Sequence, residues 1–385
     1  MVDVSFFVPV YKPNREWLKE TVASIVGLAA KSSVSCEILL GDDGSPDGCF
    51  ELLQKLEKDN PAYVRAFSFP ENRGVGITSC ALADLSRGRY IASFDQDDIM
   101  LPFDLDRVVK FMDEHPEYGS SYAQKYLFND SGLTGEIHGD HQSDFLTFFQ
   151  PKVNINAMLI RREVLFAHGS FRPLPNSRIF HDVFLMLRLG GDTLLHFDRE
   201  HPRALYRSHS SQNSTVIGNG QENWQLMGQY IISCYPELYR KIIMDDQIPA
   251  GKDIEEKRLI QKLSGLALFL NQQNNSFVWK IIEHAVTAEP DDYGAREILL
   301  QLLNTQKDHE RFLKEYEKGM QLFSDNDDVQ FIYTNIAYNH VIKFGGEIEN
   351  LRTVLNSLHK KCKTPPEIVT ANVPKAKKVS YFWNF

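Results

Sequence analysis

Cysteine is scarce in this 385-residue chain, and its five copies (Cys36, Cys49, Cys80, Cys234 and Cys362) are scattered and odd in number. None stands in C-x-x-C spacing, which argues against a disulfide framework or a zinc site and fits a reducing cytosol. Long apolar runs are missing too. The longest beyond the N-terminus, LSGLALFL at 263–270, is far too short to span a bilayer. There is no excess of positive charge. With a net charge of −9 the chain is no general polyanion binder, and its longest basic stripe is the short PKAKK near the C-terminus, so no nucleic-acid partner is expected. The N-terminus has neither a basic n-region nor a small-residue cleavage site, and VSFFVPVYKP reads as a first strand rather than a signal peptide. The expected location is cytoplasmic, with peripheral contact at the inner face of a membrane as the variant to test.

What is present is ordinary globular material, 43% hydrophobic and 24% charged, in a length that suits about two domains. The first stretch alternates strand and helix signals. VSFFVPV (4–10), CEILLG (36–41), VRAFSF (64–69) and YIASF (90–94) are β-rich runs. Between them, apolar residues recur at helical spacing over Arg15–Ala29, about Cys49–Lys58 and GITSCALADLS. Strands that are apolar throughout and joined by helices predict a mostly parallel sheet covered on both faces, an α/β class. In such sheets ligands bind at the carboxyl ends of the strands, where VPVYK, GDDGSPD and DQDD all fall. The middle is mixed: NINAMLI (154–160) reads as a strand, VFLMLRL (183–189) as a buried helix opened by Asp182, and RALYRSHSSQNS (203–214) as a short strand running into a polar loop. From about Gln221 the signals are helical only. AEPDDYGAREILLQ (288–301) and FSDNDDVQFIYTNI (323–336) repeat one phrase, an acidic turn and then a helix. They resemble tetratricopeptide-type helix hairpins without the full consensus, and an ordinary helical bundle fits nearly as well. Two domains are expected, 1–215 and 216–385.

The segment ASFDQDDIMLP (92–102) packs three acids into four positions behind an apolar run. An EF-hand would need an oxygen side chain and then glycine at the fifth and sixth positions, where Ile99 and Met100 stand. Two readings remain. One is a solvated acidic turn with Asp98 or Asp104 capping the next helix. The other is a D-x-D loop in which a hard divalent ion, Mn²⁺ or Mg²⁺, cancels the repulsion of Asp95 and Asp97 and takes its remaining ligands from a diphosphate.

VSFFVPVYKPNREWLKETVASI, EILLGDDGSPDG, ENRGVGITSCALADLSRGRYIASFDQDDIMLP and RIFHDVFLMLRLG fall in the order and at the spacing of glycosyltransferase family 2. The resemblance covers roughly residues 1–215 and implies the GT-A fold and an inverting, nucleotide-sugar-dependent transferase. It implies that Pro9 and Tyr11 lie against the nucleotide base and that Asp43 accepts a hydrogen bond from it. It places Asp95 at the ribose and metal, makes Asp97 the principal metal ligand with Asp98 in support, and gives Asp182 the role of catalytic base. His209 matches a position where some relatives place a metal-ligating or phosphate-contacting histidine. Structural readings stand beside these: Tyr11 as core, DDGSPDG as a tight turn, Asp182 as a helix cap, His209 as a solvated loop residue. The chain departs from the pattern at Ser79 and Cys80, where an Arg-Asn pair is common, and at His181, where an acid usually precedes the base.

A UDP-sugar is the donor expected from the family, with dTDP- and GDP-sugars open. The expected product is a surface polysaccharide or other glycoconjugate, and the acceptor a glycan, a lipid-linked glycan or a protein. HGDHQSDFLTFFQ (138–150) suits a sugar-stacking wall, although Phe145, Phe148 and Phe149 at that spacing also suit a core. Sugar nucleotidyltransferases share a similar sheet but carry a glycine- and arginine-rich loop after the first strand, and VPVYKPNREW contains no glycine. A non-catalytic scaffold is the third reading. The helical region has three candidate jobs: forming a homodimer, gripping a protein acceptor, or docking on a biosynthetic complex. The tail KAKKVSYFWNF either anchors weakly at a membrane interface or folds back on the helical domain.

Overall fold

The computed structural model describes residues 2–138, 155–173, 181–189, 193–198, 201–210, 277–288, 290, 293–305, 308–363 and 367–374. LSGLALFL, all of HGDHQSDFLTFFQ except its first residue, and KAKKVSYFWNF lie outside them. The chain divides into two units: Met1–Asp140, Pro151–Asn219 and Pro365–Phe385 form the first, and His141–Gln150 with Gly220–Thr364 the second.

The first unit opens with the expected alternation. Strands β1 (Val4–Val10), β2 (Cys36–Asp42), β3 (Val64–Ser68) and β4 (Tyr90–Ser93) are connected by helices α1 (Arg15–Ala29), α2 (Cys49–Asp59) and α3 (Val75–Leu85). β1, β2 and β4 are buried on both faces because helices cover both, while the edge strand β3 is only half-buried after Val64. Val4, Phe6, Val8 and Val10 share one core with Leu18, Val22 and Ile25 of α1 and with Ile38 and Leu40 of β2. Asn14 caps α1 by accepting from the backbone N–H groups of Glu16 and Trp17. Further on come β5 (Ile99–Met100), α4 (Leu105–Glu114), β6 (Tyr118–Ala123), β7 (Lys125–Asn129), β8 (Gly132–His138), β9 (Leu159–Arg161), α5 (Arg162–Ala167), α6 (His181–Leu189), β10 (Leu194–Asp198) and β11 (Ala204–Arg207).

The main sheet runs β10-β6-β9-β4-β1-β2-β3 and is parallel except at β9, which pairs antiparallel with β4 and β6. Strand order reverses at β1, between β2 on one side and β4 on the other, and such a switch point opens a crevice at the carboxyl edge. Pro9 fits there for a physical reason. β4 pairs with β1 only as far as Phe7↔Ser93, so the N–H that proline lacks is needed by no neighbour. A second sheet, β5-β11-β7-β8, stands beside the first.

Of the segment 154–160, read above as one strand, the described residues pair only from Leu159. Ile155–Met158 is instead a turn, with Ala157 at φ +59°. Helix α12 (Glu367–Asn372), which chain order assigned to the helical half, packs on the first unit. Its Val369 is fully buried with Leu101, Tyr126, Phe128, Ile137 and Leu205 on one face of the second sheet.

In the second unit the described elements are helices α7 (Phe277–Ala288), α8 (Tyr293–Thr305), α9 (His309–Leu322), α10 (Asp327–Phe344) and α11 (Glu349–Lys363), each packed on its successor. Both acidic phrases noted in the sequence precede a helix, α8 in one case and α10 in the other. Buried Arg296 of α8 donates to Glu315 of α9 at 2.6 Å. No helix among the described residues is long and apolar enough to cross a membrane.

Candidate active site

Three loops meet at the carboxyl edge of the main sheet. After β1, the backbone of Tyr11 is gripped by one side chain: its N–H donates to Gln96 Oε1 at 2.9 Å and its carbonyl accepts from Gln96 Nε2 at 3.2 Å. Tyr11 stays 37% exposed, so it is not core. After β2, buried Asp43 accepts from the backbone N–H groups of Arg73 and Gly74 at 3.0 and 2.9 Å, tying the β2 loop to the turn before α3.

After β4 comes the acidic loop. Thr21 of α1 holds it from below, donating to the carbonyls of Gln96 and Asp98 at 3.1 and 2.7 Å. Asp98 is fully buried and accepts from Arg207 N–H at 2.8 Å and from the Asn156 amide. The same amide group donates to Asp95 Oδ2 at 2.9 Å, while Asn156 Oδ1 accepts from the Asp95 N–H at 3.0 Å. Asp97 turns the other way, to His209 Nε2 at 2.8 Å. Arg207 completes the support. Its Nε donates to the Asp97 carbonyl at 2.8 Å, its Nη2 to Glu20 at 2.7 Å, and its guanidinium lies between the rings of Trp17 and Phe128 at 4.8 and 4.6 Å. Trp17 also packs on His209, with centroids 4.9 Å apart.

Carboxylates so placed perturb one another. Burial first, and then the charge of Asp97, push Asp95 up to about 7. The same two causes, with Asp95 added, raise Asp98 well above the carboxylate range. Asp182, in the first turn of α6, acts through space on Asp95 and on Lys125. Lys125, at the start of β7, is itself pushed down to about 8 by burial, against the opposing upward pull of the charges on Asp98, Asp95 and Asp182. His181 turns to the protein interior. Its Cβ lies where a side chain on Gly76 would have to go, its Nδ1 is buried without a partner, and burial lowers its pKa.

The sequence candidates Pro9, Tyr11, Asp43, Asp95, Asp97, Asp98, Asp182 and His209 therefore sit in one unit, on or beside the carboxyl edge. Gln96, Asn156, Arg207 and Lys125 were not legible as site residues. Only Arg207 left a hint, two positions before the candidate His209. Whether the residues suit a divalent ion is a matter of donor type. Among the described residues no three His, Cys, Asp or Glu side chains converge on one point. At the acidic loop Asp97 and His209 converge, with Asp95 two positions before Asp97, and an O/N pair that leaves most of the shell to diphosphate and water suits Mg²⁺ or Mn²⁺.

A mostly parallel sheet with a strand-order switch and acidic loops on its carboxyl edge defines a GT-A-type glycosyltransferase domain. Residues 5–175 match the family model described as Glycosyl transferase family 2 and form a domain of that kind within the longer chain. The chondroitin synthase of Pasteurella multocida is 23% identical over 378 residues, 90% of this chain and 37% of that protein. The UDP-Glc:alpha-D-GlcNAc-diphosphoundecaprenol beta-1,3-glucosyltransferase of Escherichia coli is 26% identical over 37% of this chain and 51% of its own length. The chain thus spans about half or less of these relatives. Among solved structures, S. aureus TarS 1-349 in complex with UDP-GlcNAc superposes with a TM-score of 0.50 at 15% identity, covering 94% of this chain and 92% of that one.

Proposed function

We propose that the protein transfers a sugar from a UDP-sugar to an acceptor hydroxyl, with inversion and with a divalent ion, in the synthesis of a surface polysaccharide or glycoconjugate. The observation that carries this reading is the acidic loop. Thr21, Asn156 and Arg207 hold its backbone and Asp98, and Asp97 is left paired with His209. The UDP assignment is supported by the glucosyltransferase relative and by the UDP-GlcNAc bound in a neighbour of the same fold.

Tyr11 and Pro9 line the base end and Asp43 accepts from the base. Asp95 takes the ribose. Asp97 and His209 would hold the ion, which when bound supplies positive charge against the departing diphosphate. Asp182 takes the proton of the acceptor hydroxyl as the new bond forms, since a hydroxyl is a poor nucleophile until a carboxylate relieves it of that proton. The crevice holds the two reactants in line and contributes the entropic part of the rate.

The test is a thermal-shift series with UDP, GDP, dTDP and CMP, each with and without Mn²⁺. A ligand that binds only the folded chain raises its melting temperature. UDP should stabilise strongly and only with metal, and Asp97→Ala should abolish the shift. No shift with any nucleotide would sink the reading and leave a scaffold with a transferase fold.

A further inference from the structure

Lys125 has no role in the reaction as described so far. It opens β7 and is 95% buried, at 5% exposure. The strand pattern says which way it points. Tyr126 and Phe128 of β7 and Leu205 of β11 face Val369 and the apolar cluster under α12. Side chains alternate along a strand, so Lys125 and Tyr206 point to the opposite face of the same sheet. Their contact agrees: Lys125 Nζ lies 4.0 Å from the Tyr206 ring centroid. His138 of β8 pairs across from Lys125 and places its ring 6.3 Å from that of Tyr206.

Among the described residues, the ring of Tyr206 is the one direct partner of this ammonium. Among the described residues no carboxylate stands within ion-pair distance. Asp98 and Asp95 are engaged elsewhere, Asp98 by Arg207 N–H and Asn156, and Asp95 by Asn156. Yet the charges of Asp98, Asp95 and Asp182 all reach it. A buried ammonium with three unspent N–H donors is costly and is kept where something else completes it. Its place identifies that partner. In an inverting transfer the sugar lies between the diphosphate, at the acidic loop, and the hydroxyl that the base activates. Lys125 stands on the strand paired with β11, whose Arg207 grips the acidic loop at Asp97 and Asp98, so its ammonium lies on the sheet that carries the diphosphate end.

We propose that Lys125 is a specificity-determining residue of the sugar subsite, its ammonium donating to an oxygen of the sugar being transferred, with Tyr206 as the wall behind it. The proposal rests on the transferase reading above. A charge-assisted hydrogen bond is the stronger kind, so a donor sugar that carries a carboxylate gains most and a hydroxyl less.

The experiment compares affinities on the full chain. Dissociation constants of Mn²⁺–UDP and of Mn²⁺ with UDP-glucose, UDP-GlcNAc and UDP-glucuronate are measured by calorimetry for wild type and for Lys125→Met and Lys125→Arg. In Lys125→Met, UDP should bind within about twofold of wild type. The tightest UDP-sugar should weaken about tenfold to a hundredfold relative to UDP, the range of one hydrogen bond to a charged group. Lys125→Arg keeps the charge in a larger planar head. It should keep UDP affinity and shift the ranking of the sugars. It is also the reporter if the Met variant does not fold. Equal weakening of UDP and UDP-sugar would make Lys125 a counter-ion of the acidic loop and overturn the proposal, as would unchanged ratios in both variants. Failure of wild type to bind any nucleotide is a different result, and it removes the transferase reading itself.

Discussion

Asp95, Asp97 and Asp98 are neighbours in sequence with three different surroundings, and the differences assign their work. Asp98 is sealed in and spent on Asn156 and Arg207, so it builds the loop. Asp97 is half-buried and faces His209. Asp95 stands between, raised to about 7 by burial and by Asp97. An acid whose pKa is higher folded than unfolded, where it is about 3.9, binds more protons when folded across that interval. Its contribution to stability therefore falls as pH rises from about 4 to about 7. Asp95→Asn keeps the hydrogen bond from Asn156 and removes that loss. In metal-free buffer the variant should match wild type at pH 4 and melt higher at pH 8, by about 2–4 °C for each kcal/mol gained. Parallel melting curves at both pH values would contradict this. Asp182→Asn tests a different role. Transfer should drop at least about a hundredfold, as for loss of a general base, with UDP affinity within about twofold. A matching loss of UDP affinity would place Asp182 at the nucleotide instead.

The elements that deliver these residues differ in how plainly the sequence announces them. β1, β2 and β4 are apolar runs closed by polar turns, and their pattern puts Tyr11, Asp43 and Asp95 at one edge before any coordinates are seen. β6 and β7 are not legible in the same way. With the linking Gln124 they bury Ser120, Ser121 and Lys125, and a buried strand with so many polar side chains looks like a loop to a reading that follows hydropathy. Lys125 was lost for that reason. Asn156 was lost for the opposite one: it hides in an apolar stretch, NINAMLI, that reads as strand although its first half turns. The close packing of two loops was equally silent. Gly44 sits at φ +67°, and a Cβ there would lie 2.5 Å from the Glu71 carbonyl carbon and 2.7 Å from the Asn72 nitrogen. Asp43, next to it, holds the same turn through Arg73 and Gly74. Gly44→Ala therefore meets both backbone strain and a clash that cannot be relieved by rotating a side chain. It should cost about 1–3 kcal/mol and weaken UDP binding, because the base end moves with Asp43. Unchanged melting and unchanged UDP affinity would show that the two loops are free to part.

Chain order and spatial order diverge at the scale of the whole molecule. The helical stretch follows the transferase domain in sequence, yet the helix at 367–372 packs on the transferase unit and covers one face of its second sheet. That face and the crevice face belong to the same two strands: β7 carries Lys125 on one side and Tyr126 and Phe128 on the other, and β11 carries Tyr206 and Arg207. The C-terminal helix thus backs the wall on which the sugar is proposed to sit. Nothing in its six residues, EIVTAN, signals this, because one valine in a short helix has no periodicity to read. Fully burying a valine contributes about 1.5–3 kcal/mol, and a carboxylate in its place would be an unpaired charge in an apolar cluster. Val369→Ala should then cost about 1–2 kcal/mol with nucleotide binding retained. Val369→Asp should expel the helix, lower the melting temperature by more than the Ala variant does, and weaken metal-dependent UDP-sugar binding as β7 and β11 loosen. A Val369→Asp protein with wild-type melting and wild-type UDP-sugar affinity would mean that the second sheet holds its shape without this helix, and the site would then owe nothing to the far end of the chain.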